Sequence, residues 1–370
     1  MHDQHWQEFA GEYYFLPQEH VLFGADSVER LASEVERLGV HRALIITGQT
    51  LARQTGVVDR VAAALGPRHA GTVDNIRQHT PRSAVDAAVG DVRRLGADVL
   101  VSVGGGSPID AAKAVARTLL ESEGTMPAQI AIPTTLSAAE FSHRIGVTDE
   151  ITRSKVGMED PRTVPRTVIL DATLTVPTPE RLWISSGIRA LDHAVETLYA
   201  PGTHPIESVL AREAIRDLFA YLPRSHRHPD DLDTRTRLQL AAWMSFFGEV
   251  NTPMGLSHNL GRRIGATYDV PHGITSCITL PHVMRFEATT HAAALAPIAR
   301  MLGRATDETP DNVAALRAAD AVAQLIAVLG LPGRLSEVGI SAESIPAIAT
   351  ATVGDSPQRP RIEQLLREML

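Results

Sequence analysis

Val99-Leu100-Val101-Ser102-Val103-Gly104-Gly105-Gly106-Ser107-Pro108-Ile109-Asp110-Ala111-Ala112-Lys113 reads as a strand, a glycine turn and the start of a helix. A largely apolar run without alternation suits a strand covered on both faces. Consecutive glycines let the backbone turn sharply and approach a ligand closely. Ser107 suits an N-cap and Pro108 the first helical position. A helix start offers free N–H groups and a partial positive charge to a phosphate. The stretch is neither Gly-x-Gly-x-x-Gly nor a Walker loop, because Lys113 falls in the helix body. Taken alone it reads equally as a phosphate turn or as a tight turn.

The same strand–helix alternation extends on both sides. Helices are expected over Ser27–Leu38, Val57–Leu65, Ser83–Leu95 and Pro108–Leu120. Buried strands are expected at Ala43–Thr47, Val99–Val103, Gln129–Ile132 and Val168–Leu170. Such a pattern marks a parallel sheet covered on both faces. After Pro177-Thr178-Pro179 no strand interrupts the helical periodicity of Leu182–Tyr199, Ile206–Leu222, Leu232–Phe247, Met254–Gly265, Ala292–Leu302 and Val313–Leu329, with a last short helix at Ile362–Leu370. The fold class is therefore α/β, with a parallel-sheet domain over residues 1–178 and an all-helical domain over 179–370. Pro133-Thr134-Thr135 places two hydroxyls at a strand end, where open α/β sheets bind ligands. Alone, those threonines read more readily as a capping turn, while two such turns at the ends of two strands reinforce the ligand reading.

At 370 residues the chain is long enough for two domains. A formal net charge of -8 speaks against nucleic acid or an anionic membrane surface as partner, while leaving room for a local basic pocket. The single cysteine, Cys277, excludes an intrachain disulfide and a cysteine-rich zinc site, and fits a reducing, cytoplasmic compartment. Met1-His2-Asp3-Gln4-His5 is polar and carries no signal-peptide pattern, and no apolar run is long enough to span a membrane.

Histidines carry the remaining signal. On a helix Arg189 and His193 share a face, as do His258 and Arg262, each pair four residues apart. His272 lies beyond Gly265 and Pro271 and must approach from a bend. The chain has 15 histidines, so a chance cluster is a real alternative, and His143 and His282 have no role that spacing assigns.

These motifs together resemble the iron-containing (group III) alcohol dehydrogenase family over nearly the whole chain. Val21–Gly24 looks like its opening strand, Gly104–Lys113 its pyrophosphate turn, and Pro133–Thr135 with Gly146–Thr148 its nicotinamide side. Val168–Thr175 resembles its crossing into the helical part, and Gly187–Glu196 with His258–His282 its metal-site helices. The resemblance implies a Rossmann-like N-terminal domain, a helical C-terminal domain, an active site in the cleft between them, and a homodimer. It also implies cofactor contacts at Gly48, Gly104, Gly105, Gly106, Ser107, Asp110, Thr134, Thr135 and Lys155. Gly48 stands where NAD-preferring members carry an aspartate that contacts the adenosine ribose, so a 2′-phosphate is not repelled and the cofactor is expected to be NAD(P)H.

The family's metal site is one aspartate and three histidines. His193, His258 and His272 fall on the histidine positions, Arg189 on the aspartate, and Arg262 where many members carry a further histidine. A divalent ion ~4 Å from a guanidinium would meet roughly 8 kcal/mol of repulsion at an effective dielectric of ~20. Asp192, three residues on, is expected to face another part of the helix surface. The reading is therefore metal-free, like the maleylacetate reductase branch, which lacks the aspartate; Leu136 departs from a tyrosine common in that branch. Arg189, His193, His258, Arg262 and His272 are the catalytic candidates for hydride transfer to a small carbonyl compound. Two arginines suggest a carboxylate or similar anion as substrate. The alternatives are a metal-dependent dehydrogenase using the three histidines, a lyase of the dehydroquinate synthase type, and a cofactor-binding protein without catalysis.

Overall fold

The computed structural model describes residues 12–151 and 154–370, so the reading of Met1–His5 falls outside the described residues. Strands β1 (His20–Phe23), β2 (Ala43–Thr47), β3 (His69–Val73), β4 (Val99–Gly104) and β5 (Ala128–Pro133) are followed by a two-stranded antiparallel hairpin, β6 (Arg144–Asp149) and β7 (Ser154–Glu159), and by β8 (Thr167–Leu170). Six of them form one parallel sheet in the order β1-β8-β5-β4-β2-β3.

Side chains alternate across that sheet with period two. Ala43, Ile45, Val99, Val101 and Val103 face the helices Leu31–Arg37 and Val57–Leu65. Leu44, Ile46 and Leu100 face the helices Arg82–Leu95 and Gly106–Glu123. Both faces are covered, which is why these strands read as unbroken apolar runs. The chain leaves β2 toward β3 on one side and returns to β4 on the other. The ends of β2 and β4 therefore flank a switch point, where open α/β sheets bind ligands. Gly48 and Gly104–Gly106 both lie there.

From Glu180 onward every described element is helical. Glu180–Tyr199, Pro205–Arg227, Leu256–Tyr268, His272–Glu287 and Asp311–Val328 bury one continuous apolar cluster. One expectation needs completing. His272 does follow a bend, at Asp269 with φ 54, but it also begins a helix that was not expected, His272–Glu287, with Pro271 as N-cap. Residues 274–281 are all buried, so the segment shows no apolar stripe, and Pro281 inside it hides the periodicity further.

Behind the glycine turn, Lys113 is fully buried and its Nζ donates to the carbonyl oxygens of Ala139 at 2.6 Å and Arg144 at 3.3 Å. Neighbouring Glu140 is 2 % exposed, and its Oε2 has no hydrogen-bond partner among the described residues. Burial pushes the Glu140 carboxyl from 4.5 up to about 7. A raised folded-state value means that the stability from this group is present below the unfolded value and is lost as pH rises through about 7. Urea unfolding at about pH 5 and about pH 8 checks this: Glu140→Gln, with no proton to lose there, should show the smaller drop. Equal drops in both proteins would contradict it.

Candidate active site between sheet and helices

The first wall of the cleft is the glycine turn. Gly104 has φ 138, a conformation that L side chains rarely adopt, and it ends β4. Gly105, rather than Ser107, is the N-cap, and the helix starts at Gly106. Ser107 therefore lies in the first turn, where its Oγ accepts from the His79 N–H at 3.2 Å. A Cβ at Gly105 would stand 3.1 Å from Thr135 Cγ2. The hydroxyls of Thr135 and Ser137, both beside this turn, are buried and have no hydrogen-bond partner among the described residues. Orphaned hydroxyls next to free helix N–H groups fit an anionic ligand that would complete them.

The other cofactor candidates are placed around this turn. Thr134 N–H donates to the Gly104 carbonyl at 2.9 Å and tethers the two strand ends. Asp110 Oδ2 accepts from Gly146 N–H at 3.1 Å, fixing the hairpin to the helix. Gly48 is the N-cap of Gln49–Gln54. Lys155 pairs with Thr148 in the hairpin, and its side chain lies outside the described residues.

The second wall is made by Glu180–Tyr199, Leu256–Tyr268 and His272–Glu287. Glu196 reaches across to the start of Leu256–Tyr268. There it accepts from Gly255 N–H at 2.9 Å and Ser257 N–H at 2.7 Å, and its Oε2 lies 2.7 Å from His258 Nδ1. Asp192 Oδ2 accepts from Ser276 Oγ at 2.6 Å and lies 3.6 Å from both Arg189 Nη1 and His258 Nδ1. Asp192 thus faces the site, against the sequence expectation, because residues three apart on a helix are neighbours on its surface and Arg189 and Asp192 share a face. Arg189 Nη1 donates to Ser276 Oγ at 3.2 Å. His193 stacks on Phe246 at 3.9 Å and stands 4.7 Å from the His258 ring.

Burial dominates the protonation of this wall. It pushes Glu196 up to about 7 and holds Asp192 above the usual carboxylate range. Burial, reinforced by Arg189, lowers His258 to about 3, and His193 is also held well below its ordinary value. Both imidazoles are neutral near pH 7. Asp192, Glu196 and His258 bring ligand-type atoms within 4.8 Å of one another.

The remaining candidates lie where the walls meet. The ring centroids of His272 and His79 lie 5.7 Å apart in an edge-to-face arrangement, and His79 Nε2 lies 3.2 Å from Asp269. That contact sets His272 beside His79, whose backbone N–H donates to Ser107 in the first turn of the glycine-turn helix. Arg262 leans on the hairpin: its Nη1 lies 3.9 Å from where a Gly157 Cβ would be. Sequence reasoning gave no role to Glu196, or to Arg144, whose charge bears on both His193 and His258. Glu196 stands three residues after His193 on the same helix, so its spacing could have flagged it. Arg144 opens β6, and its approach depends on the hairpin, for which no local signal was read.

Residues 17–172 match the family described as iron-containing alcohol dehydrogenase, and residues 183–369 match the C-terminal part of the Fe-containing alcohol dehydrogenase family. Maleylacetate reductase of Rhizobium sp. (strain MTP-10005) is 32% identical over 343 residues, covering 92% of this chain and 91% of that protein. Lactaldehyde reductase of Escherichia coli (strain K12) is 31% identical and covers 94% of this chain and 96% of its own length. Among solved structures, maleylacetate reductase from Agrobacterium tumefaciens superposes with a TM-score of 0.84 at 30% identity, covering 98% of this chain and 99% of that one.

Proposed function

The chain belongs to the iron-containing alcohol dehydrogenase family and is an NAD(P)H-dependent oxidoreductase, and from that premise we propose that it interconverts a small anionic carbonyl compound and its alcohol without a metal ion. The observation that carries the reading is Arg189. A guanidinium, 13% exposed, stands where the family resemblance puts an acidic ligand.

The cofactor, when bound, supplies or takes up the hydride. The protein's share is charge and proton control. Glu196 accepts the Nδ1 proton of His258. That fixes the tautomer and leaves the buried Nε2, which has no partner among the described residues, as a lone-pair acceptor. His258 Nε2 takes the proton of an alcohol and returns it to the alkoxide, and Glu196 stabilises the imidazolium formed between. Arg189 commits Nη1 to Ser276, and the rest of its fork is available to charge developing on the carbonyl oxygen. Arg262 makes no ion pair among the described residues and supplies the pairing site for the substrate anion. Gly48 sets no carboxylate at the end of β2, which supports NADPH as an accepted cofactor.

The residues do not suit a divalent ion at the family's position. Both Glu196 oxygens already accept hydrogen bonds, Asp192 Oδ2 takes Ser276, and Arg189 lies 3.6 Å from that oxygen. The competing reading, a metal-dependent dehydrogenase, draws on three buried atoms without a hydrogen-bond partner among the described residues, Asp192 Oδ1, His193 Nδ1 and His258 Nε2. Elemental analysis after loading with zinc or iron separates the two. The expected result is metal well below one ion per chain and activity that survives a chelator. A full equivalent of metal, with activity lost on its removal, would replace the first reading by the second.

A further inference from the structure

We propose that Arg144 is a specificity-determining residue that, with Arg262, clamps a carboxylate of the substrate between the sheet domain and the helices. The inference rests on the reading of the site as that of an oxidoreductase for anionic carbonyl compounds, and it adds the residue and the charge type that select the substrate.

Register places the two guanidiniums together. In the hairpin Arg144 pairs with Glu159, and Gly146 with Gly157. Residues 157 and 159 lie on one face of β7, because strand side chains alternate. Arg262 reaches that face at Gly157, 3.9 Å from its missing Cβ. Arg144 reaches it at Glu159, with Nε donating at 3.2 Å. Arg144 comes from the sheet side of the cleft and Arg262 from the helix Leu256–Tyr268, so one face of the hairpin collects both.

Arg144 is held in place rather than left to wander. Its Nη1 donates to Glu249 Oε2 at 2.6 Å, and Glu249, 3 % exposed, also accepts the His143 N–H and lies 2.6 Å from His143 Nδ1. The Arg144 carbonyl is bound by buried Lys113. Nε and Nη1 are used, and Nη2 has no hydrogen bond among the described residues. A fork anchored on two donors and open on the third is ready for an oxyanion.

Charge counting selects the ligand. Buried Glu249 balances Arg144, whereas Glu159 is 63% exposed and largely screened by water. Arg262 makes no ion pair among the described residues, and burial, then Arg263 and Arg144, disfavour its charge, against a smaller opposing effect of Glu159. One uncompensated positive charge matches one carboxylate better than a phosphate dianion.

The test compares wild type with Arg144→Gln, Arg144→Lys and Arg262→Gln, using 4-oxobutanoate, butanal and glycolaldehyde phosphate with NADPH and NADH. Arg144→Lys keeps a charge beside Glu249 and so guards against a folding defect, but it loses the planar fork. In all three variants the preference for 4-oxobutanoate over butanal should fall about tenfold or more through KM. A proportional loss on both substrates, or an equal rise in the KM for cofactor, would overturn the clamp. Wild-type preference for the phosphate ester would overturn the carboxylate assignment. Succinate binding by calorimetry reads the clamp without turnover: about tenfold weakening in Arg144→Lys supports it, and unchanged or absent wild-type binding sinks it. Succinate binding without reduction of any carbonyl compound would instead count against the oxidoreductase reading, with the clamp standing.

Discussion

Glu196→Ala is expected to cost about 3–5 kcal/mol of stability and to abolish turnover with it. Glu196 leaves one helix to close the start of another, accepting two backbone N–H groups and the ring nitrogen of His258. The first backbone N–H groups of a helix have no partner within it. Truncation would leave Ser257 N–H and Nδ1 of His258 buried and unsatisfied, at roughly 1–3 kcal/mol each before any relaxation, and the half-buried Gly255 N–H without its acceptor. The site offers little relaxation, since a Cβ at Gly255 would already lie 2.5 Å from the carboxylate. Glu196→Gln keeps the shape and one acceptor and should lose markedly less. Denaturant midpoints for the two variants measure the difference. An alanine variant within about 1 kcal/mol of wild type would show that Glu196 is not the hinge of this network. Turnover should fall further than stability alone explains, because His258 loses the partner that fixes its tautomer.

The sheet was legible because its strands are buried on both faces and its helices carry clean apolar stripes. Ala43–Thr47 and Val57–Leu65 are observed at their expected bounds. β3, His69-Ala70-Gly71-Thr72-Val73, escaped because an edge strand of small and polar residues shows neither an apolar run nor alternation. The hairpin escaped for the reason that hides Arg144, and the helix His272–Glu287 because it shows no apolar stripe. The pairing of His193 with His258 follows from helical spacing plus one long-range contact. That contact, through Phe246 and Glu196, is tertiary and leaves no local trace. Asp192 was misjudged for a different reason. Three-residue spacing makes Asp192 a surface neighbour of Arg189, so the spacing itself could have placed it in the site, and Ser276 on the third helix then holds that carboxylate.

Arg189→Asp is expected to turn the same pocket into a metal site. As it stands, the guanidinium supplies the positive charge that two buried carboxylates, Asp192 and Glu196, require. It remains charged despite burial, because no protein environment readily deprotonates arginine. Exchanging it for a carboxylate removes that cation and places a third acid on the same helix, four residues before His193. The variant without metal should be strongly destabilised by uncompensated negative charge. Zinc would relieve it, since carboxylate and imidazole together form an ordinary zinc donor set. Melting with and without zinc chloride therefore reads the exchange directly. Saturating zinc should raise the midpoint of the variant by several degrees and leave wild type where it is, with close to one zinc per variant chain and none retained by wild type. A variant that melts like wild type and takes up no zinc would show that the charge at position 189 does not decide between cation and metal. In that case the helix geometry, rather than the arginine, would be what keeps the histidines from acting as ligands.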